Sequence, residues 1–465
     1  CMAHVHAIVP SMGPRLVALA ALAAALVCPA SPTERSTTLH IAAALPAAAV
    51  DTPAAQQLAW FVHLLDHRGG ALTTAEAEAH FAPSFLAKFP PATVVAHSAA
   101  IAAEHAPVAI HEVRQIADDH LDARGVSPAG PLRILLRTTR DGAIDGLLVE
   151  PYADLDLEEL LRTIPTLAPR ATLLSAELVD DGCRPLHAVD ADANLSLASI
   201  SKLYVLLAVV DAILAGEHSW DEPITIRDAL RGEPSRILGT HPDGATLPLR
   251  DVLHALIGAS DNAANDHLID LVGRRAVEAA VRASGHHDPA LNQPYLTFRE
   301  FRRLWRLHPS VTDRYLALDE QARRDFLARA LDDLTAPIDV RRNLDTIGIF
   351  ASATDVCRLL ATLAQRARRP EAAPLLEILA DGAKLGPSDL AGDDWTFVGG
   401  KSGGLGVLGF NDVSSRAVLL RRADDRWFVV VLGLESAGRW TSFARRPIHA
   451  VTARIFDLLA REGRP

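Results

Sequence analysis

Two β-rich stretches lie about 200 residues apart in this chain, and the run between them is helical. ATLLSAELVDDG (171–182) reads as a strand, and a second strand follows around RPLHAV. WTFVGG, SSRAVLLRR and WFVVVLGL then read as three more strands between residues 395 and 434, the last two joined by a turn at Ala423-Asp424-Asp425. An amphipathic helix from Pro447 to Arg461 closes the chain, with Ile448, Val451, Ile455, Leu458 and Leu459 on one face. Apolar strands with one set at each end of a helical body are buried together most simply as one antiparallel sheet, with the helices inserted between its halves. This arrangement constrains residues 166–465 more than any other feature.

The first half has a different character. From Gln56 to about Glu104 the pattern is helical: LAWFVHLL keeps apolar residues on one face, and Thr73-Thr74 before AEAEAHF has the form of a helix start. Beyond Pro107, VAIHEVRQIADDHLDARG, PLRILLRTTRDG and AIDGLLVEPY read as strands joined by turns. A length of 465 residues suggests two or three domains. We read residues 56–165 as an α+β domain, architecturally similar to the cone-shaped domains of the nuclear-transport-factor-2 (NTF2) and ketosteroid-isomerase type.

The start of the chain has the form of an export signal. Met12-Gly13-Pro14-Arg15 precedes LVALAALAAALV, and Cys28-Pro29-Ala30-Ser31 follows. This is a charged head, an apolar stretch too short to span a bilayer, and small residues for cleavage near Ala30. Residues 12–30 therefore read as a signal peptide, with a buried Ala-rich helix as the alternative. Residues 1–11 read as an extension ahead of the true start, and 31–55 as a linker. Val27 stands where lipoprotein processing at Cys28 needs a small residue, so secretion or residence in the cell envelope is expected ahead of a lipid anchor. No membrane span is expected after cleavage.

The net charge of −11, with no basic run interleaved with aromatics, argues against a nucleic-acid partner. Beyond the signal, Cys183 and Cys357 are the two remaining cysteines. One disulfide is permitted in an exported chain, but nothing in the sequence brings them together, and each reads as a small buried side chain. No C-x-x-C or H-E-x-x-H occurs, and His286-His287-Asp288 reads as an exposed loop rather than a metal site. No metal or organic cofactor is expected.

Lysine usage points to chemistry. Lys88, Lys202, Lys384 and Lys401 are the only lysines among 46 cationic residues. Arginine stays protonated, whereas a desolvated lysine can lose its proton and act as a base. Lys202 follows Ser199 by three residues at the head of the strongly apolar helix beginning SKLYVLL, a spacing that puts both on one helix face. Taken alone, S-x-x-K fits a serine near a helix start with a snorkelling lysine. Two further patterns follow in order: Ser260-Asp261-Asn262 after LRDVLHALIGA, and Lys401-Ser402-Gly403 after WTFVGG. Gly404 to Gly409 also fits G-x-G-x-x-G, but FNDVSSRAVLL follows it as a strand, where a dinucleotide loop needs a helix. Gly400-Lys401-Ser402 imitates a phosphate loop, with Trp395 where its first glycine is required.

S-x-x-K, S-D-N and K-[TS]-G in this order resemble the penicillin-recognising serine hydrolases, the class A β-lactamases and penicillin-binding transpeptidases. GATLPLRDVLHALIGASDNAANDHLIDLVG, ASATDVCRLLATL and DWTFVGGKSGGLGVLGFND extend the resemblance over roughly 168–465. It implies a β-lactamase/transpeptidase-like fold with an all-helical subdomain, and a site without metal or cofactor. It also implies roles. Ser199 is the acylated nucleophile and Lys202 its base; Ser260 relays a proton to the leaving nitrogen; Asn262 holds the substrate amide and Lys202. Lys401 keeps the site electropositive, Ser402 binds a substrate carboxylate, and Gly403 lies beside it. The N–H groups of Ser199 and Gly404 form the oxyanion hole, each such donor worth about 3–4 kcal/mol to the transition state.

The chain departs from the class A pattern in two places. No E-x-x-L-N follows the S-D-N helix to supply the deacylating Glu. Glu300, the nearest carboxylate in HHDPALNQPYLTFREFRRLWRLHP, reads as a T-x-x-E helix cap, and a long helical insert over roughly 310–346 follows. No carboxylate-clamping Arg is evident near Phe410-Asn411-Asp412. These departures, together with the front domain, resemble the two-domain type of the clavulanic-acid cluster, described as a cephalosporin esterase. The expectation is an exported serine hydrolase acting on a β-lactam or related ester or amide with weak turnover. The alternatives are a peptidoglycan D,D-peptidase and a covalent binding protein. The oligomeric state is left open.

Overall fold

The computed structural model describes residues 52–463 apart from positions 88, 118, 152–155, 181, 232–234, 307–308, 330–345, 384–393, 408–409, 437–442 and 445. The signal, its cleavage site and most of the linker expected from the sequence lie outside the described residues. Among those described, no helix is long and apolar enough to cross a membrane.

The first body begins with α1 (Pro53–Arg68), α2 (Thr74–His80), the short α3 (Pro83–Leu86) and α4 (Pro91–His105). The segment read as a linker to residue 55 thus already carries the start of α1, capped by the Thr52 side chain on the Ala55 N–H. Thr73 caps α2 in a full capping box with Glu76. Four antiparallel strands follow in sequence order, β1 (Ala109–Ala117), β2 (His120–Ser127), β3 (Gly130–Thr138) and β4 (Ile144–Pro151). Phe61, Leu65, Leu121, Ile134 and Leu136 are among the residues packing helices onto sheet. Arg124 on β2 reaches Asp457 near the chain end at 2.7 Å, and Arg133 holds Asp122 with two bonds of 2.8 Å; all four are buried. A buried guanidinium needs such partners, since an unpaired charge there costs several kcal/mol.

Next come α5 (Leu157–Thr163), β5 (Arg170–Val179), β6 (Gly182–Val189), the two-residue β7 (Leu195–Ser196) and α6 (Lys202–Leu214). The helical body continues through β8 (Pro223–Thr225), β9 (Thr246–Pro248), α7 (Leu249–Ile257), α8 (Asn262–Val272), α9 (Arg274–Ala283) and α10 (Phe298–Arg306). It ends with α11 (Pro309–Leu316), α12 (Glu320–Arg329), β10 (Phe350–Ala351), α13 (Ala353–Ala367) and α14 (Pro374–Ala383). The helical insert read over roughly 310–346 comprises two short helices as far as Arg329; residues 330–345 lie outside the described residues. The chain closes with β11 (Trp395–Val407), β12 (Phe410–Arg422), β13 (Trp427–Glu435), β14 (Phe443–Ala444) and α15 (Arg446–Arg461).

The main sheet has the order β11-β12-β13-β5-β6, all antiparallel, with β14 on β12. Strands from both ends of the 166–465 region therefore meet at β13 and β5. Alternate residues face opposite cores, as the two-residue period of a strand requires. Leu174, Ala176, Leu419, Val429 and Val431 pack under the helical body, while Leu173, Leu420, Val430 and Leu432 pack under α5 and α15. Both faces are covered, which explains why WFVVVLGL is a continuous apolar run. Helix α6 is buried on nearly every side at the centre of the helical body.

Cys183 and Cys357 form a disulfide tying β6 to α13. The sequence reading of two unpaired buried side chains is corrected here: partners 174 positions apart meet only once α13 lies across the sheet. The loop at 286–288 is exposed at His287, as read from the sequence, but not at His286. His286 is buried and donates through Nε2 to Phe350 O at 2.9 Å, while its Nδ1 accepts from Asp288 N–H. His287 Nδ1 lies 2.6 Å from Asp355, not Asp288. The donor atoms of His286, His287 and Asp355 lie within 4.8 Å of one another. Both nitrogens of His286 are already committed to hydrogen bonds, so the cluster acts as a polar clamp on the start of α13.

Candidate active site

The three sequence patterns line one cleft of about 670 Å³. Its walls include Ser199 and Lys202, Ser260 and Asn262, and Ser402 to Gly404. Ser199 lies in a 3₁₀ turn, Ala198–Ser201, that runs directly into α6, with the Lys202 N–H bonded back to Ser199 O. In a 3₁₀ turn residues i and i+3 eclipse, so Ser199 and Lys202 share one side of the chain. Ala198 (φ 47°) and Ser260 (φ 54°) both adopt left-handed backbone. Strained conformations of this kind persist only where the surroundings enforce them. Behind the turn, a Cβ on Gly403 would collide with Leu197 O and the Ser415 hydroxyl, so only glycine lets β11 lie against it.

Lys202 is almost fully buried. Its Nζ donates to Ser260 O at 2.6 Å, Ser260 Oγ at 3.2 Å and Asn262 Oδ1 at 2.7 Å. The ring of Phe298 stands 5.5 Å away. Burial pushes this amine well below the ordinary lysine range, and the charge on Lys401 pushes the same way; Asp261 and Asp266 oppose it. Such a depressed amine, once it has given up a proton, is equipped to accept and relay protons from a serine hydroxyl.

Asp261 sets the geometry of this wall. Its carboxylate caps α8 through the Ala264 N–H and accepts from Ser235 Oγ and the N–H groups of Arg236, Ile237 and Leu238 at 2.8–3.2 Å. It therefore binds the 235–238 turn to the S-D-N segment. Asp266, one turn along α8, accepts from the Phe298 N–H at 2.7 Å and the Arg299 N–H at 3.0 Å. Burial pushes its carboxyl up to about 6. These two bonds place Phe298 over Lys202.

Lys401 is buried behind the cleft surface, where its Nζ donates to Ser402 O at 3.0 Å. Burial alone lowers its pKa to about 7. Its positive charge is therefore only partial at neutral pH.

A profile of the β-lactamase enzyme family matches residues 171–455, more than half of the chain and the whole of the motif-bearing region. The chain belongs to the β-lactamase enzyme family. No curated protein matches it significantly. Among solved structures it is similar to a β-lactamase from Chitinophaga pinensis DSM 2588, at 17% identity and TM-score 0.45, covering 65% of this chain and 98% of that one. A β-lactamase from Sphaerobacter thermophilus DSM 20745 is similar at 18% identity and TM-score 0.45, over 67% of this chain and 100% of that one. The L158E mutant of PBP-A, solved as an acyl-enzyme complex with penicillin G, is similar at 15% identity and TM-score 0.44, over 66% and 97% of the two chains.

Within this β-lactamase-family cleft, Glu300 is not a wall residue. It completes a capping box with Thr297 and is held by both Nη atoms of Arg274 at 2.7 and 2.9 Å. The sequence reading missed Arg416. It pairs with Ser402 across β11 and β12, is nearly buried and lines the cleft. Phe410–Asp412 lie at the start of β12, whereas the partner of Ser402 lies six residues beyond Phe410, one more than Ser402 lies before Val407, because the register shifts between Leu405 and Gly406. Counting hairpin register symmetrically ends one residue short, at Ser415, so the bulge had to be seen in the structure.

Proposed function

We propose that the protein is a serine acyl-transfer enzyme acting on a β-lactam or a related ester or amide, and that its acyl-enzyme turns over slowly. One observation carries this reading: a buried, deprotonation-prone Lys202 bonded to Ser260 and Asn262 in the cleft that also holds Ser199. Ser199 Oγ attacks the carbonyl carbon and its proton passes to Lys202. Ser260 delivers a proton to the leaving nitrogen or oxygen as the acyl–leaving-group bond breaks. Asn262 holds the substrate amide, and the Ser199 and Gly404 N–H groups stabilise the oxyanion. Ser402 and Arg416 receive the carboxylate, with Gly403 keeping the strand close to the nucleophile turn, and Lys401 adds charge below about pH 7.

Slow release follows from Phe298. The wall facing Lys202 carries an aromatic ring there, and no Asp or Glu is among the described residues lining the cleft. A water near the acyl ester then lacks a carboxylate to activate it. The same feature favours a second reading, a peptidoglycan D,D-peptidase that β-lactams trap. Cephalosporin ester cleavage, as in the clavulanic-acid-cluster type, and covalent sensing are further outcomes of the same chemistry. This reading includes export through residues 12–30, a linker ahead of α1, and a division near residue 165 into an NTF2-like front domain and the catalytic domain. The disulfide supports an oxidising compartment.

Intact mass after incubation with benzylpenicillin and with a 3′-acetoxy cephalosporin tests it. A long-lived adduct on wild type, absent in Ser199→Ala, is expected. Loss of acetate from a cephalosporin whose ring stays intact identifies the esterase outcome. No adduct and no product with either compound, or activity surviving in Ser199→Ala, rejects the reading.

A further inference from the structure

Two unlike walls line the cleft. The strands β7, β11 and β12 bring it the hydroxyl groups of Ser196, Ser402, Ser414 and Ser415. Helix α10 brings it aromatic rings. Phe298, Phe301 and Trp305 stand at i, i+3 and i+7, so they form one ridge about two turns long, roughly 10 Å at 1.5 Å per residue. Phe301 stacks on Trp305 with ring centroids 5.7 Å apart, and Phe298 tilts onto Phe301 at 5.8 Å. Phe301 and Trp305 are buried and make the floor of the ridge. Phe298 is half-buried, and so is Leu405 of β11, which packs against the same apolar cluster. Arg302 shares the ridge but is engaged within the protein.

The direction of β11 says which part of a substrate meets these rings. Ser402, Gly404 and Leu405 follow one another along a strand that advances about 3.3 Å per residue. A substrate with its carboxylate at Ser402 and its carbonyl oxygen at the Gly404 N–H therefore runs along the strand. Its acyl side chain continues toward Leu405, where β11 meets the α10 cluster. Apolar rings cannot replace the water that a charged chain gives up. An aryl ring gains both burial and ring-to-ring contact there.

We infer that the acyl group of the substrate carries an aryl ring, seated on the α10 ridge against Phe298 and Leu405 and over the Phe301 and Trp305 rings. The inference rests on the proposed function for the places of the carboxylate and the oxyanion. It deepens that reading, because the acyl group of a peptidoglycan stem is a polar peptide chain, whereas this subsite selects an arylated lactam or ester.

Binding to Ser199→Ala protein tests it without acylation. Three penicillins share one nucleus: benzylpenicillin, 6-acetamidopenicillanic acid with a methyl in place of the benzyl group, and a penicillin whose side chain ends in a charged α-amino acid. Calorimetric titration is expected to show benzylpenicillin bound about 10–100-fold more tightly than either of the others, as burial of one phenyl ring warrants. The preference over the acetamido compound persists at high salt, because neither side chain is charged. In the Ser199→Ala background, Phe298→Ala and Leu405→Ala are each expected to cut that preference by about threefold or more. The acetamido compound should bind both variants as it binds the parent, which shows that the cleft is still formed. Equal affinities in the parent, tighter binding of the charged side chain, or a preference unchanged in both variants overturns the inference. Intact mass on wild type with the same compounds is read separately. No adduct with any of them, alongside a retained preference for the aryl side chain, overturns only the acylation reading.

Discussion

The Phe298 ring stands 5.5 Å from the Nζ of Lys202, and it is held there by the Asp266 carboxylate on the Phe298 N–H. A carboxylate introduced at this position would face the amine and any water beside an acyl-Ser199 ester. Phe298→Glu is therefore expected to shorten the life of the penicillin adduct by about 10²–10⁴, the usual range for a placed general base. Adduct decay followed by mass spectrometry reads this, and an unchanged lifetime in a variant that still acylates would falsify the account of slow release.

Arg416 and Ser402 form a cross-strand pair in the cleft. A charge-assisted hydrogen bond is worth about 1.5–3 kcal/mol, so Arg416→Gln should lower acylation efficiency toward benzylpenicillin by about 10–100-fold. The loss is expected in the concentration dependence rather than in the limiting rate. The methyl ester of the same penicillin, having no carboxylate, should react equally with both proteins. A matching loss with the ester would show that Arg416 supports structure instead.

Lys401 has a folded-state pKa of about 7 against an ordinary 10.5. Between these values the unfolded chain holds a proton that the folded chain has released. Stability therefore rises with pH across this window, by up to about 1.4 kcal/mol per pH unit, and this contribution is lost as pH falls to about 7. Lys202 is shifted in the same direction. Denaturant midpoints measured from pH 7 to 10 should rise less steeply in Lys401→Met, which should also be more stable at pH 7 while acylating poorly. Identical slopes would show that Lys401 keeps its proton when folded.

Cys183 and Cys357 join β6 to α13 across 174 positions. Closing so long a loop restricts the unfolded chain, and loss of such a bond typically costs 2–5 kcal/mol. Cys183→Ser with Cys357→Ser, and wild type under reducing agent, should lose stability by similar amounts in urea titrations. A reductant effect that persists in the double variant would point to another cause.

Local features were readable before any fold. Ser199 and Lys202 are three residues apart, Ser260 to Asn262 and Lys401 to Gly404 are contiguous, and lysine where arginine would serve for charge drew the eye to two of the three patterns. The Glu300 cap was readable too, because a capping box needs only its own four residues. The Cys183–Cys357 bond was not, because its partners are brought together by packing between distant elements. Nor was Arg416, because a bulge in the β11–β12 hairpin moves the partner of Ser402 one residue beyond the position that symmetric pairing gives. The role of Phe298 was hidden: its place over Lys202 depends on hydrogen bonds that the Phe298 and Arg299 N–H groups donate to Asp266 on another helix.

The strands at either end of the 166–465 region, the helical body between them and the three short motifs were written in the sequence, because periodicity and short spacing are local properties of a chain. Burial was not. Whether Lys202 and Lys401 keep their protons depends on how much water the surrounding helices and strands remove. Where the positive charge of the cleft resides depends on which arginines the fold turns toward it. Desolvation and convergence are sums over groups far apart in sequence, so only the tertiary structure could decide them.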